Sequence, residues 1–156
     1  MITQEFLHSI LNYDPNTGIF TWIKNGKVAG TIKNNKSIHI GIKSKTYLAH
    51  RLAWIYVYGN IKSEMIDHIN GNPSDNKLCN LRECNRSQNR CNSKLNKNNT
   101  SGIKGVVWNK QYKKWKVSVT INRKQKTIGH FDDLELAELA SIEARNKYHK
   151  EFSRLK

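Results

Sequence analysis

The stretch that most constrains the fold is residues 65–92, where an Asp-His pair is followed by regularly placed asparagines. Asp67 and His68 end a short apolar run and lead directly into an Asn-Gly turn. Asn80 follows His68 by twelve residues, and Asn89 follows Asn80 by nine. Turn residues separate the short apolar runs of this stretch, which therefore suit strands. The polar segment that follows them begins with residues that can cap a helix. The stretch therefore predicts a strand at residues 66–69, a second extended piece at 77–81 and a helix at 86–95.

The preceding residues predict a small mixed segment. Residues 3–11 have the apolar spacing of an amphipathic helix, with Thr3 as its N-cap. Apolar residues then alternate between residues 19 and 42, interrupted by two Asn-containing turns. This pattern favours two or three short antiparallel strands. Residues 48–58 are apolar almost all round and predict a buried helix that ends at Gly59.

The C-terminal third changes character after a polar, Asn-rich segment at residues 93–101, which we interpret as a linker. Three strands are predicted at residues 104–109, 114–121 and 126–131, and a helix at 134–152 with Asp132 or Asp133 as its cap. Basic residues near the end of this helix, Arg145 among them, complement its dipole. The residues expected on its buried face are Leu136, Ala140, Ala144 and Tyr148.

The formal charge of +15 indicates a polyanionic partner. Residues 102–130 contain eight Lys or Arg and no acid, whereas residues 131–156 carry five basic and six acidic residues. Nucleic acid is the favoured partner because each phosphate that a Lys or Arg neutralises releases a counterion. A membrane partner is not expected, since the chain has neither a transmembrane run nor a convincing basic amphipathic helix.

The cysteines favour reduced, partly buried thiols. Cys79, Cys84 and Cys91 are odd in number and form no C-x-x-C pair, so neither a zinc site nor a redox pair is expected. The first residues lack a basic region followed by an apolar core, which argues against a secretory signal. We therefore expect an intracellular protein.

The residue types of the 65–92 stretch suit phosphodiester hydrolysis. A neutral imidazole such as that of His68 can activate water near neutral pH. Mg²⁺ or Mn²⁺ needs few protein oxygens when water and substrate phosphate complete its shell, and Asp67 and Asn89 offer a carboxylate and an amide oxygen. The Asn80 amide would hold the long loop. The alternative is that these residues are only turn chemistry satisfying backbone groups.

The motifs D-H-I-N-G-N, N-x-x-x-N-L-R and S-x-N, in this order, resemble the HNH (ββα-metal) endonucleases, especially the phage-type homing endonuclease branch. The resemblance covers about residues 48–95. It implies Asp67 and Asn89 as metal ligands, His68 as general base and Asn80 as the loop-supporting residue, with Asn89 where the family name has a final His. Asn76 and Arg82 would support the loop and contact phosphate.

Residues 101–152, with K-G-V, I-G-x-F and an Ala-rich helix, resemble the plant ethylene-response-factor (APETALA-type) DNA-binding domain. That family docks its three-stranded sheet in the major groove, a mode of recognition open to strands. Trp108 and Trp115 are expected in the core. The resemblance implies as groove-facing candidates Lys104, Asn109, Lys116, Ser118, Thr120, Gln125 and Thr127. The better candidates for phosphate contacts are Arg123, Lys124 and Lys126.

The sequence thus predicts an α+β protein with four segments: residues 1–47, strand-rich; 48–95, the ββα-metal nuclease core; 96–102, a linker; and 103–156, a three-stranded antiparallel sheet packed on one helix. Its expected function is metal-dependent cleavage of double-stranded DNA by a homing-type enzyme, located in the bacterial host cytoplasm if phage-encoded. The sequence is compatible with nicking and with double-strand cleavage, and with a monomer and with a homodimer. The rivals are a DNA-binding regulator with an inert nuclease core and a basic RNA-binding protein.

Overall fold

Helices and short antiparallel strands alternate along residues 2–153, the part of the chain that the computed structural model describes. They form two units, one ending at Asn85 and the other beginning at Arg86. The fold is α+β, as predicted. The helix at residues 86–91 belongs with the C-terminal sheet, so the two units divide before the segment 96–102 that the sequence pattern marks as a linker.

The N-terminal unit begins with helix α1 (Gln4–Ile10), whose N-cap is Thr3 as predicted: the Thr3 hydroxyl accepts a hydrogen bond from the Phe6 amide at 3.2 Å. Strands β1 (Leu11–Asp14) and β2 (Ile19–Trp22) follow as an antiparallel hairpin. The sequence analysis missed β1, whose first residue, Leu11, lies in the segment that was predicted as a helix.

A three-stranded antiparallel sheet follows, with strands β3 (Thr31–Ile32), β4 (Ile38–Ile42) and β5 (Lys45–Leu48) in sequence order. Strand β5 was not predicted. Its connection to β4 is a tight turn at Lys43 and Ser44, which both have positive φ (46° and 61°). Such turns usually carry Gly or Asn, so the sequence showed no turn signal there.

Helix α2 (Ala49–Tyr58) matches the predicted buried helix and ends at Gly59, whose φ is 81° and whose amide donates to the Ile55 carbonyl at 2.9 Å. Strand β6 (Met65–His68) pairs with strand β7 (Leu81–Cys84), and a 3₁₀ turn at Leu78–Asn80 precedes β7. The predicted extended piece at 77–81 was therefore wrong by several residues, because the chain turns at Asn80 before it extends.

The core of the N-terminal unit lies between α1, α2 and the sheets. Its fully buried side chains include Leu7, Leu11, Ile40 and Leu52. Each buried Leu or Ile contributes about 1.5–3 kcal/mol relative to an exposed one. Ile66 and Leu81 belong to the same cluster, so the core anchors the β6–β7 hairpin that carries the Asp-His pair.

The C-terminal unit contains α3 (Arg86–Cys91), β8 (Val106–Asn109), β9 (Lys114–Ile121), β10 (Lys124–Phe131) and α4 (Leu134–His149). The strands form the predicted antiparallel sheet in the order β10-β9-β8, and α4 packs against it. The Asp133 carboxylate caps α4 by accepting from the Glu135 and Leu136 amides at 2.7 and 3.0 Å. Both helices are shorter than predicted: α3 ends at Cys91, and α4 ends at His149 before a short 3₁₀ turn.

The predicted buried face of α4 was wrong in part. Leu136 is 56% exposed, whereas Ala137, Ser141, Ala144 and Arg145 are buried. The helix presents small residues to the sheet, and the Ser141 hydroxyl donates to the Lys104 carbonyl at 2.6 Å. Trp108 was also wrongly expected in the core, since it is 44% exposed, whereas Trp115 packs against the cluster as predicted. Within residues 2–153, no helix is both long and apolar enough to cross a membrane.

Candidate functional site

The β6–β7 hairpin buries both members of the Asp-His pair. Asp67 is 7% exposed and His68 is 8% exposed. In the antiparallel register Asp67 lies opposite Arg82, and His68 lies opposite Leu81. A polar pair is buried at the end of a strand only when hydrogen bonds compensate for the lost water. The partners of these two side chains therefore define the site.

Arg82 is the partner of Asp67. Its Nη2 and Nε atoms donate to the same carboxylate oxygen, Oδ2, at 3.0 and 3.2 Å. Removing one member of a buried ion pair costs about 3–5 kcal/mol, because the other charge is left uncompensated. The resemblance implied that Arg82 contacts phosphate or supports the loop. In the structure its guanidinium orients the carboxylate of Asp67.

His68 is held by Asn76, which is 1% exposed. His68 Nε2 lies 3.0 Å from Asn76 Oδ1. Because Oδ1 can only accept, Nε2 carries the proton in this arrangement, and Nδ1 is the ring nitrogen with the lone pair. Nδ2 of Asn76 is buried and has no hydrogen-bond partner among the described residues, whereas Oδ1 of the same amide bonds to His68. The arrangement suits a general base that uses Nδ1.

A second imidazole packs against the first. His50, on α2, contacts the His68 ring edge-to-face with centroids 4.8 Å apart. Burial lowers the pKa of His50 to about 3, and repulsion from His68, Arg51 and His39 acts in the same direction. His50 is therefore neutral near neutral pH and brings no positive charge to the general base. Its ring instead packs against one side of the His68 imidazole.

The loop that carries Asn76 rests on the β1–β2 hairpin. The Tyr13 hydroxyl donates to the Asn76 carbonyl at 2.7 Å, and burial raises the pKa of that hydroxyl. Gly18 has a φ of 75°, and a Cβ there would lie 2.5 Å from backbone atoms of Asn76 and Lys77. The sequence analysis missed both Tyr13 and Gly18. Residues 13–18 have the composition of a turn, but no local pattern shows a contact across more than fifty residues.

Asn80 holds the other end of the same loop. Its Oδ1 accepts from the Asn70 amide at 3.0 Å, and its Nδ2 donates to Asn70 Oδ1 at 3.1 Å and to the Asp75 carbonyl at 2.8 Å. The two bonds to Asn70 span the turn that follows the Asp-His pair, and the bond to Asp75 holds the middle of the loop.

The chemistry of the site suits a hard divalent cation. Such a cation binds carboxylate oxygens, and the Asp67 carboxylate, which Arg82 orients, offers them. Within the described residues no three His, Cys, Asp or Glu side chains gather as a metal site. One carboxylate with an amide oxygen is nevertheless a sufficient protein set for Mg²⁺ when water and phosphate complete its shell. Asn89, the other expected ligand, lies on α3 in the C-terminal unit.

The three cysteines are free thiols: Cys79 is exposed, Cys84 is buried and Cys91 is intermediate. Burial raises the pKa of Cys84 to about 11. Since a thiolate is the form that binds metal, a buried Cys84 is a poor ligand at neutral pH.

Several expected DNA-contacting residues of the C-terminal unit have internal partners. Lys104 Nζ donates to the Cys91 carbonyl at 3.0 Å and also to the Ser93 carbonyl. Asn109 Oδ1 accepts from the Gln111 and Tyr112 amides at 3.0 and 3.2 Å. These contacts give Lys104 and Asn109 a structural role in the unit.

The remaining candidates lie along β9 and β10. Gln125 donates to the buried Ser118 hydroxyl at 2.9 Å, and Lys126 donates to the Tyr148 hydroxyl at 2.9 Å. Lys116 is intermediate in exposure, and Arg123 is at the β9–β10 turn with a φ of 67°. The exposed candidates are Thr120, Arg123, Lys124, Gln125, Lys126 and Thr127.

Comparisons with known proteins found a family profile, a phage relative and a solved structure. The sequence profile of a family described as HNH endonuclease matches residues 47–91. Protein 3.8 of Escherichia phage T7 is 37% identical over 108 residues, which cover 69% of this chain and 88% of the T7 protein. A solved structure described as DNA binding and cleavage by the HNH homing endonuclease I-HmuI shares 29% identity over 52% of this chain and 49% of its own chain, with a TM-score of 0.45.

Proposed function

Because this chain belongs to the HNH endonuclease family and is a homologue of protein 3.8 of phage T7, we propose that it hydrolyses phosphodiester bonds of double-stranded DNA with a divalent metal ion. The observation that carries the proposal is the buried pair Asp67 and His68, each oriented by its own partner. The profile match at residues 47–91 includes the whole set Asp67, His68, Asn80 and Asn89.

In the proposed reaction His68 Nδ1 takes a proton from water, and the resulting hydroxide attacks the phosphorus atom. The bond to the 3′-oxygen breaks, which leaves a 3′-hydroxyl and a 5′-phosphate. Asn76 keeps the imidazole in the tautomer that this step needs, since its Oδ1 accepts the Nε2 proton at 3.0 Å. A positioned general base of this kind contributes about 10²–10⁴-fold to the rate.

Asp67 and Asn89 are the proposed ligands of the metal, either Mg²⁺ or Mn²⁺. When bound, it supplies Lewis-acid stabilisation of the charge on the phosphoryl and leaving oxygens. Asp67 supports this role because it is a buried carboxylate whose orientation is set by Arg82. Asn80 supports the site indirectly, through the loop that it holds after β6.

The C-terminal sheet is proposed to bind the duplex. Exposed cations on the first part of β10 support this role, namely Lys124 and Lys126. Such contacts give affinity that falls with salt and carries no sequence information. Exposed polar side chains beside them, Thr120 and Thr127, are candidates for base contacts. A homing-type activity is the finer form of this proposal.

The experiment is cleavage of a randomised DNA library in Mg²⁺, with cut positions mapped on each strand and product ends identified. Wild type should cut and leave 5′-phosphates, whereas His68→Ala should bind the library without cutting it. His39→Ala is the matched control, since His39 lies in the same unit and bonds to Ser37. It should cut at the wild-type rate.

Each rival predicts another result. Intact DNA from wild type and His68→Ala alike would favour a DNA-binding regulator with an inert core. Tighter, salt-sensitive binding to structured RNA than to duplex DNA, without cleavage, would favour the RNA-binding rival. Cuts on one strand only would indicate a nicking monomer, because each chain carries one proposed site. Paired cuts would require a dimer or two visits.

A further inference from the structure

The C-terminal unit contains a cavity of about 580 Å³. It is bordered by α3, by the middle of β9 and by the last turns of α4. Among the described residues that line it, none is acidic. Its charged lining consists of five cations: Arg86, Arg90, Lys104, Arg123 and Arg145. A cavity with this lining favours an anionic ligand.

Arg145 makes the cavity more than a basic surface. It is 3% exposed, and its Nε and Nη2 atoms are buried with no hydrogen-bond partner within residues 2–153. Burial lowers the pKa of this guanidinium, yet arginine remains protonated in proteins. A buried cation with unpaired donors is costly, so such groups are normally matched by a partner. No carboxylate lines the described cavity to fill that role.

His149 also lines the cavity with an unmatched ring nitrogen, which accepts rather than donates when Nε2 carries the proton. His149 Nε2 donates to the Thr120 carbonyl at 2.9 Å, which leaves Nδ1 as the other ring atom, buried and without a partner among the described residues. His149 and Arg145 are four residues apart on α4, so they share one face of the helix. Both line the cavity. The face of α4 that borders the cavity thus carries three buried nitrogen atoms with unmet hydrogen bonds.

We propose that this cavity binds a nucleotide 5′-phosphate, with the Arg145 guanidinium as its buried phosphate-binding group. Guanidinium donors form a planar fork that matches phosphate oxygens, and these bonds are among the strongest in proteins. The volume is in the range of small-molecule sites, about 300–1,000 Å³, and exceeds what a lone phosphate needs. The remaining space accommodates the sugar and base.

The ligand has two possible sources, a free nucleotide or the 5′-phosphorylated end of a DNA strand. A phosphate inside an intact duplex cannot reach a guanidinium that is only 3% exposed. The DNA-end source rests on the proposed function, because the proposed hydrolysis leaves 5′-phosphate ends. The free-nucleotide source does not depend on cleavage at all.

The test is calorimetric titration of the full chain in EDTA, so that no cleavage occurs. The probes are a deoxynucleoside 5′-monophosphate, the matching deoxynucleoside, and short single strands with and without a 5′-phosphate. Binding that requires the 5′-phosphate supports the proposal. If only the phosphorylated strand binds, the ligand of the cavity is a DNA end. If the mononucleotide binds too, the ligand can be a free nucleotide. Binding of none of the probes overturns the proposal.

Arg145→Met should weaken phosphate-dependent binding by about tenfold or more, the loss expected for a buried charge-assisted hydrogen bond. Lys147→Met removes the same charge from an exposed position on the same helix and should bind as wild type does. Equal affinity of wild type and Arg145→Met would contradict the assignment. His68→Ala should retain nucleotide binding, which separates failure of this site from failure of the nuclease.

A measurement on wild type guards against a variant that does not fold. Addition of the mononucleotide should shift the NMR resonance of the Arg145 Nε–H group, because this group changes from unpaired to hydrogen-bonded. An unshifted Arg145 resonance under saturating nucleotide would overturn the proposal even if some binding were measured elsewhere.

Discussion

Replacing His50 with Gln should make the stability of the N-terminal unit less sensitive to acid. The pKa of His50 is about 3 in the folded chain, against an ordinary value of 6.5. As pH falls through 6.5 the unfolded chain takes up a proton at this position, whereas the folded chain does not. The stability that neutral His50 provides is therefore complete above about pH 6.5 and is lost as pH falls towards 3.

The size of the effect follows from the two pKa values. Between pH 7 and pH 5 the linkage relation gives a loss of about 2 kcal/mol, since the unfolded state is almost fully protonated at pH 5 and the folded state is not. A typical domain has only about 5–15 kcal/mol of stability, so the loss is easily measured. Wild type should lose about 2 kcal/mol more than His50→Gln over this interval.

The assay is urea unfolding of the metal-free chain at several pH values, followed by tryptophan fluorescence. Trp22 and Trp54 belong to the N-terminal unit, so Trp108 and Trp115 are replaced by Phe in both proteins to isolate its signal. Titrating groups remote from His50 contribute equally to the two proteins and cancel in the comparison. Identical pH slopes for wild type and His50→Gln would refute the reasoning.

Three further predictions concern the loop and the duplex-binding sheet. In urea unfolding, Gly18→Ala should destabilise the N-terminal unit by about 1–3 kcal/mol more than Gly26→Ala does. Gly26 is the control because its φ of 68° is similar, but a Cβ there would meet no described atom within 4 Å. Asn80→Ala should cost about 1–3 kcal/mol and should speed hydrogen exchange at the Asn70 amide, which loses its acceptor. Lys124→Gln should lower the slope of log affinity against log salt by about one; an unchanged slope would mean that Lys124 contacts no phosphate.

The parts of the fold that the sequence predicted well have strong local signals. Alternation of apolar residues from Trp115 to Ile121 predicted β9, and Asp133 predicted the start of α4. Gly59 predicted the end of α2. Each of these features depends on residues that are close together in the sequence.

The parts that it missed depend on tertiary contacts. Tyr13 supports Asn76 from a strand far away in the sequence, and no periodicity announces that contact. Arg145 was predicted to complement the dipole of α4, but it is buried on the same face of the helix as Ser141. The chemistry of the site was visible as residue types, whereas the partners that orient those residues were not.

The rate at which the purified chain nicks supercoiled plasmid tests the central claim most directly. We expect nicking by wild type in Mg²⁺ and none in EDTA, with a loss of at least about 10²-fold in His68→Ala, the contribution of a positioned general base. Asp67→Ala should lose the response to Mg²⁺. Full-rate nicking by Asp67→Ala would contradict the metal assignment, and full-rate nicking by His68→Ala would contradict the account as a whole.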